Sequence, residues 1–255
     1  MSPFGVPAPA GYDRLEIGDA TVVTRAGAVA GVRQALGEAP TIHDWASQAP
    51  DALAFTGRTT AWAATLPCGA TRVVVRRARH GGLLGPIRGE RFVAPGRAPA
   101  ELEIALRLQE AGVRTPDVVA YALYPAGPGL CRIDVVTRRL PDGADLPTAW
   151  ADADEATRDA MLVAVASLLR DLQAAGAWHP DLNAKNLHLA CDGGRWRAWV
   201  LDVDRVHFGA PNDRGIAGRN LARLVRSLRK WRTRHGLPVD ERAVARLTAL
   251  AESRA

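Results

Sequence analysis

Between Ala156 and Ala175 apolar residues recur at steps of three and four, at Leu162, Val165, Leu169 and Leu172, and Gly176 follows them. That spacing predicts an amphipathic helix over 156–175 closed by a glycine C-cap. Further on the pattern shortens to strand length: Leu187-His188-Leu189-Ala190, the turn Asp192-Gly193-Gly194, then Trp196 to Leu201, read as the two strands of a hairpin. Upstream, the β-branched run Val73-Val74-Val75 and the stretch Ile133–Thr137 predict strands, with a further short strand near Thr21–Arg25. Leu102, Leu106 and Leu108 mark the buried face of a helix that carries Glu101, and Leu221, Leu224, Val225 and Leu228 form another helical stripe near the C-terminus.

Between the 156–175 helix and the hairpin lies His179-Pro180-Asp181-Leu182-Asn183-Ala184-Lys185-Asn186, and the hairpin runs into Leu201-Asp202-Val203-Asp204. An acid, an amide five residues later and a second acid at a strand end are the groups needed to steer a hydroxyl and to hold Mg²⁺ against ATP. Phosphoryl transfer leaves a protein little covalent work: it positions the attacking hydroxyl and neutralises phosphate charge with metal ions and cations. Asp181 is the candidate that accepts the hydroxyl proton. Asn186 and Asp202 offer hard oxygen ligands suited to Mg²⁺ shared with phosphates rather than to Zn²⁺. An ordinary polar turn is the plain alternative, since Pro, Asp and Asn all favour turns. His179 is read as a residue that fixes the loop backbone rather than one that moves protons.

The order helix, acidic loop, hairpin, second acid is that of the large lobe of the protein-kinase-like fold. Over roughly residues 55 to 232 the chain resembles the bacterial 3-deoxy-D-manno-octulosonic acid (Kdo) kinases of the lipopolysaccharide-core kinase group. The resemblance is carried by Gly57-Arg58 and the strand after it, Arg72 to Gly82, Glu101 and its helix, the catalytic loop in its D-L-N-A-x-N form, the D-x-D-R metal motif at Asp202–Arg205, and Asn220 to Lys230. It implies an α+β, two-lobed protein-kinase-like fold: a small antiparallel β lobe with one main helix, and a mostly helical large lobe. It also implies that Asp181 is the base, that Asn186 and Asp202 hold Mg²⁺, and that Glu101 orients the basic contact to the ATP phosphates. Asn183 stands where such a loop usually carries a phosphate-contacting lysine, and it offers a neutral hydrogen bond to the γ-phosphate or the acceptor.

The chain departs from the general kinase pattern at one countable point. Its two lysines are Lys185, inside the loop, and Lys230, near the C-terminus, so neither can be the usual third-strand lysine. Arg76 is the expected substitute at the ATP phosphates, with Arg77 on the opposite face of the same strand because side chains alternate. The plain alternative is that both are solvated strand ends. Arginine keeps its charge and can bind phosphate bidentately. Gly57 is the lone glycine of a short phosphate loop, short of a full G-x-G-x-x-G, and there is no P-loop signature. Arg79 and His80 begin an Arg/Gly-rich turn that either meets an anionic substrate or is a plain loop.

Composition bounds this reading without generating it. The chain has 255 residues, 47% of them hydrophobic and 24% charged, which suits one two-lobed unit or two small domains with a proper core. Cys68, Cys131 and Cys191 are too few and scattered for a disulfide framework or a zinc pattern, which favours a reducing compartment. Residues 1 to 20 carry three prolines and three acids and read as neither signal peptide nor anchor. A net charge of +6 favours an anionic partner. Arg219, Arg223, Arg226, Arg229, Lys230, Arg232 and Arg234 lie in a stretch from Asp213 to Asp240 with no acid between. That basic amphipathic helix either packs its stripe on the core with a solvated face or meets anionic headgroups of the inner leaflet. Nucleic acid is not expected, since no aromatic-rich RNA-binding signature or zinc-finger ligand set occurs.

The expected organisation is an N-terminal extension over 1–40, loosely ordered, a small lobe over 41–137 and a large catalytic lobe over 138–255. Arg138-Arg139-Leu140-Pro141 forms the hinge, and ATP lies between the lobes with adenine against main chain near Thr137–Leu140. The resemblance implies ATP-dependent phosphorylation of the 4-hydroxyl of a Kdo residue on a lipid A precursor, at the cytoplasmic face of the inner membrane. Two other readings stay open: a small-molecule phosphotransferase of the aminoglycoside or choline type, and a nucleotide-binding pseudokinase scaffold. Arg79, Arg219 and Arg223 are the cations offered for the acceptor.

Overall fold

The β-branched and alternating segments do become strands, and the computed structural model, which describes residues 4–55, 60–79 and 89–253, gathers them into one antiparallel sheet. The chain divides into two units, one of residues 1–103 with 117–139, the other of 104–116 with 140–255. In the first unit the strand order is β1 (Tyr12–Ile17), β2 (Ala20–Arg25), β7 (Val118–Pro125), β8 (Leu130–Arg138), β5 (Arg72–Arg77), β4 (Ala61–Thr65) and β3 (Leu53–Phe55), with β6 (Phe92–Val93) also on β8.

Alternation along β5 settles two faces. Val73 and Val75 are fully buried in a core with Val22, Val32, Ile42, Trp45 and Val136. This core is closed by α1 (Val29–Glu38) and α2 (Ile42–Gln48), whose N-cap Thr41 accepts from the Asp44 N–H. Arg77, two residues beyond Val75 and so on the same face, reaches Asp134 at 3.1 Å, Thr41 at 2.6 Å and Asp44 at 3.2 Å. Asp134 is fully buried and also accepts the His43 N–H at 2.9 Å. Burial pushes its carboxyl up, while Arg77 and the His43 amide pull the other way.

One expectation is corrected here. Residues expected as a loosely ordered approach form β1, β2 and α1, all integral to this sheet and core. The Glu101 helix, α3 (Ala98–Glu110), is the longest of the helices that accompany the sheet, beside α1 and α2. The physical reason for the ordered N-terminal segment is burial: Val22, Val32, Ala35 and Trp45 join Val73 and Val75 in one core.

The second unit is mostly helical. Its axis is α5 (Glu155–Ala174), N-capped by Asp154 and burying Leu162, Val165, Leu169 and Leu172, the four predicted positions, with Met161 and Leu168. Gly176 follows at φ +63°, where a Cβ would lie 2.6 Å from the Gly209 carbonyl oxygen, so no other residue fits this turn. The chain then pairs β10 (Ala177–Trp178) with β13 (His207–Phe208). The predicted hairpin is β11 (Leu187–Asp192) with β12 (Arg195–Val200), extended by β9 (Gly143–Asp145). Helices α4 (Leu146–Ala151), α6 (Arg214–His235) and α7 (Glu241–Glu252) complete the unit. Among the described residues no helix is long and apolar enough to cross a membrane.

Candidate active site

Each unit holds part of the predicted set. In the first, Arg76 points to the face opposite Arg77 and forms an ion pair with Glu101 in the first turn of α3. Glu101 is a buried carboxylate, so a cationic partner is what makes its burial tolerable. The predicted Arg76–Glu101 coupling is thus present as a direct contact. Arg79 pairs with Glu90 at 3.2 Å. Gly57 and His80 lie outside the described residues. In the predicted hinge, the N–H groups of Arg138 and Arg139 donate to the carbonyls of Asp117 and Arg72.

In the second unit the loop 179–186 is built by hydrogen bonds that its own sequence supplies. His179 is fully buried, with Nε2 3.1 Å from the Leu201 carbonyl and Nδ1 accepting the Asp181 N–H at 3.2 Å. That pair of contacts requires the neutral ring protonated at Nε2, and burial holds the imidazole below its usual range. One side chain therefore ties the backbone of the base to the residue before Asp202, a structural role of the kind expected for His179. A second tie is main chain, the Leu201 N–H donating to the Asn186 carbonyl at 2.8 Å, which sets Asn186 beside Asp202.

Asn183 caps a 3₁₀ turn over Ala184–Asn186: its Oδ1 accepts from the N–H groups of Lys185 and Asn186, and its Nδ2 lies 3.1 Å from the Asp181 carbonyl. Its side chain is thus engaged inside the loop, where it shapes the base's backbone. Asn186 Nδ2 donates to the same carbonyl at 2.9 Å, which turns its Oδ1 away from that contact. Lys185 is held by Asp145 at 2.7 Å and lies 5.3 Å over the Trp231 ring.

Asp202 adopts the left-handed conformation, φ 58° and ψ 50°, a strained position for any residue with a side chain, though Asp tolerates it better than most. Its carboxylate is exposed and makes no hydrogen bond or ion pair among the described residues. No group of three or more His, Cys, Asp or Glu side chains that could hold a metal by itself occurs among them either. A free carboxylate and an amide oxygen, on segments joined by the Asn186–Leu201 backbone bond, are donors of the kind Mg²⁺ accepts when phosphates and water complete its shell, and they are too sparse for Zn²⁺. The residues present fit Mg²⁺.

Helix α6 contributes what the sequence pattern concealed. Its inward face is Ile216, Asn220, Leu224 and Leu228, with Leu221 and Val225 only half-buried. The stripe is rotated because Asn220 goes inward. Fully buried, it accepts the His179 N–H at 3.0 Å and donates to the Ala177 carbonyl at 2.8 Å. Two more residues along the same side touch the loop: Arg223 Nη2 lies 2.7 Å from Asp181 Oδ1, and Ser227 Oγ accepts the Ala184 N–H at 3.0 Å. Arg223 is among the cations already offered for the acceptor, and its spacing from 220 and 227 is the helical signal that could have found Asn220 and Ser227. The outer basic face is partly neutralised: Arg229 and Arg232 share Glu241, whose carboxyl they hold down at about 2.

A small antiparallel β unit with an arginine paired to a buried Glu, and a helical unit whose Asp loop is tied to the residue before a second Asp, are the parts of a protein-kinase-like α+β fold. A solved structure described as WaaP in complex with acyl carrier protein matches with a TM-score of 0.50 at 20% identity, covering 79% of this chain and 78% of that one, a likeness of fold. Residues 45–249 match the lipopolysaccharide kinase (Kdo/WaaP) family, and the chain belongs to that family. It is an ATP-dependent phosphotransferase of the sugar-kinase class. Similar proteins include the 3-deoxy-D-manno-octulosonic acid kinase of Xanthomonas oryzae pv. oryzae (strain PXO99A), 33% identical over 72% of each chain. The protein of the same name from Stenotrophomonas maltophilia (strain K279a) is 31% identical over 75% of this chain and 74% of its own.

Proposed function

We propose that this kinase transfers the γ-phosphate of ATP to the 4-hydroxyl of a Kdo residue on a lipid A precursor, working at the cytoplasmic face of the inner membrane. The observation that carries the transfer is the clamp of His179 and the Asn186–Leu201 bond, which sets Asp181, Asn186 and Asp202 on one connected piece of backbone. The acceptor rests on kinship with enzymes named for Kdo.

In this reading Asp181 receives the proton of the attacking hydroxyl as the new P–O bond forms and the bond to the β-phosphate oxygen breaks, leaving ADP. Its second oxygen, Oδ2, is the one on offer, since Oδ1 is paired with Arg223. Asn186 and Asp202 would hold Mg²⁺, which would supply charge neutralisation at the phosphates. Arg76, oriented by Glu101, meets the phosphates in place of the usual lysine. Asn183 keeps the Asp181 carbonyl and the following turn in place. At the membrane, Arg226, Lys230 and Arg234 in the later turns of α6 are cations without a carboxylate partner among the described residues, each worth about 1 kcal/mol near an anionic leaflet.

The test is product analysis. Purified protein, ATP and Mg²⁺ are incubated with a Kdo-bearing lipid A precursor and, separately, with an aminoglycoside mixture, and the product phosphate is placed by NMR. A monophosphate ester on the Kdo 4-hydroxyl is the expected result. Phosphate at another position would remove the 4-hydroxyl assignment, aminoglycoside products alone would favour a small-molecule phosphotransferase, and ATP binding without transfer would favour a scaffold.

A further inference from the structure

The carboxylate that takes the proton has a cation on it, and the surroundings of that cation differ from those of its neighbours on α6. Arg229 and Arg232 are matched by Glu241, and Arg246 on α7 by Asp159, acids that have no place in the reaction. Arg223 instead contacts Asp181 Oδ1 at 2.7 Å, with its side chain 41% exposed. A guanidinium has five N–H donors, and this contact uses one. One turn earlier on the same side, Arg219 lies 4.7 Å over the Trp178 ring, which stacks at 5.4 Å on His207. Arg219 has no carboxylate partner among the described residues. Arg223 therefore borders the base with open donors, and Arg219, four residues away on the same helix side, lies on the ring of Trp178, two residues before the Pro180–Asp181 step.

Such an arrangement suits an anion that arrives with the hydroxyl. A fixed cation on the base lowers its pull on a proton, so a permanent pair would oppose the chemistry, whereas a cation shared with an incoming anion would guide the acceptor and ease its hold on Asp181. The distance restricts the source. An anion hydrogen-bonded to Arg223 and a hydroxyl hydrogen-bonded to Asp181 are separated by a few contacts of about 2.8 Å each, a span bridged within one sugar acid. We infer that Arg223, seconded by Arg219, is the acceptor's carboxylate subsite: it reads the acid group of the same sugar that carries the reacting hydroxyl. The assignment makes Arg223 a specificity-determining residue, and it rests on the proposed Kdo reading.

The test compares a Kdo-bearing lipid A precursor with its Kdo methyl ester as acceptors, using the whole protein with ATP and Mg²⁺. A hydrogen bond between charged partners supports roughly a tenfold or greater difference in kcat/KM. The wild type is expected to prefer the acid by about that factor. Arg223→Gln is expected to cut the preference to under about threefold, and Arg223→Lys to fall between, with KM for ATP held within about twofold of wild type. A purely structural Arg223 would lower the rate on both acceptors and leave their ratio unchanged, and that result overturns the assignment. So does a wild type that treats acid and ester alike. If the Gln variant does not fold, the ratio in the Lys variant decides: lowered supports, unchanged overturns. No transfer by the wild type to either acceptor would remove the Kdo reading and this subsite with it, whereas transfer with an unaltered ratio removes the subsite alone.

Discussion

Replacing Asn220 tests whether α6 holds the catalytic loop. The side chain is fully buried and serves two backbone groups of residues that are themselves fully buried, the His179 N–H at 3.0 Å and the Ala177 carbonyl at 2.8 Å. Asn220→Ala strips the partner from both. A buried polar group left unsatisfied costs about 1–3 kcal/mol, so the pair should cost about 2–6 kcal/mol. That is a large part of the roughly 5–15 kcal/mol that keeps a domain folded. With about 2–4 °C per kcal/mol for a chain of this length, Tm should fall by roughly 4–24 °C. Below the melting range the variant should still lose turnover, because the amide it frees belongs to the residue that fixes Asp181. Asn220→Asp adds a sign that simple truncation lacks. It keeps an acceptor for His179 but sets an oxygen against the Ala177 carbonyl, so its carboxyl pKa rises in the folded state. Its stability should then be recovered at low pH and lost as pH rises through that raised pKa. Thermal and urea unfolding followed by tryptophan fluorescence, from pH 5 to 8, reads both effects. An Asn220→Ala variant that melts within about 2 °C of wild type, or an Asp variant with the wild-type pH profile, would refute the reasoning.

Three further outcomes follow from other contacts. Arg76→Ala should raise KM for ATP by about tenfold or more in steady-state assays, and Arg76→Lys should recover part of it, since a charged contact to phosphate is restored without the guanidinium fork. His179 is held neutral by burial, so its folded pKa lies below the unfolded 6.5; its contribution is fully present above pH 6.5 and is lost as pH falls through the folded value. Denaturant midpoints should drop on acidification below about pH 6.5, and His179→Gln should flatten that dependence while lowering stability at pH 7.5. Asp134→Asn removes the buried charge facing Arg77 and should cost about 3 kcal/mol, seen as a lower urea midpoint at unchanged m-value.

Local periodicity revealed the parts whose partners are near in sequence. Helix α5 was readable because four apolar positions repeat along one face, and the hairpin because Asp192-Gly193-Gly194 marks its turn. The separation of Arg76 from Arg77 followed from strand alternation alone. What stayed hidden depends on distant partners. Asn220 looked like the opening residue of a basic helix, yet its contacts lie 41 and 43 residues away. Arg223 stood beside Arg79 and Arg219 as a cation for the acceptor, and only the link of 42 residues sets it on Asp181. The N-terminal segment was underestimated because α1 relies on small residues, Gly31, Val32 and Ala35, which bury well without making a strong hydrophobic pattern. Likewise, no sequence signal separates Arg229, matched by Glu241, from Arg226, which is not.

Asp181 as the base is tested by the rate of phosphate transfer from ATP to a Kdo-bearing acceptor by the wild type and by Asp181→Asn, with ATP affinity measured on both. Transfer by the wild type is expected, with a fall of about 10²–10⁴-fold in kcat for the variant and ATP affinity changed by no more than a few-fold. An Asp181→Asn enzyme that keeps the wild-type rate would contradict that role, as would a wild type that binds ATP and transfers nothing.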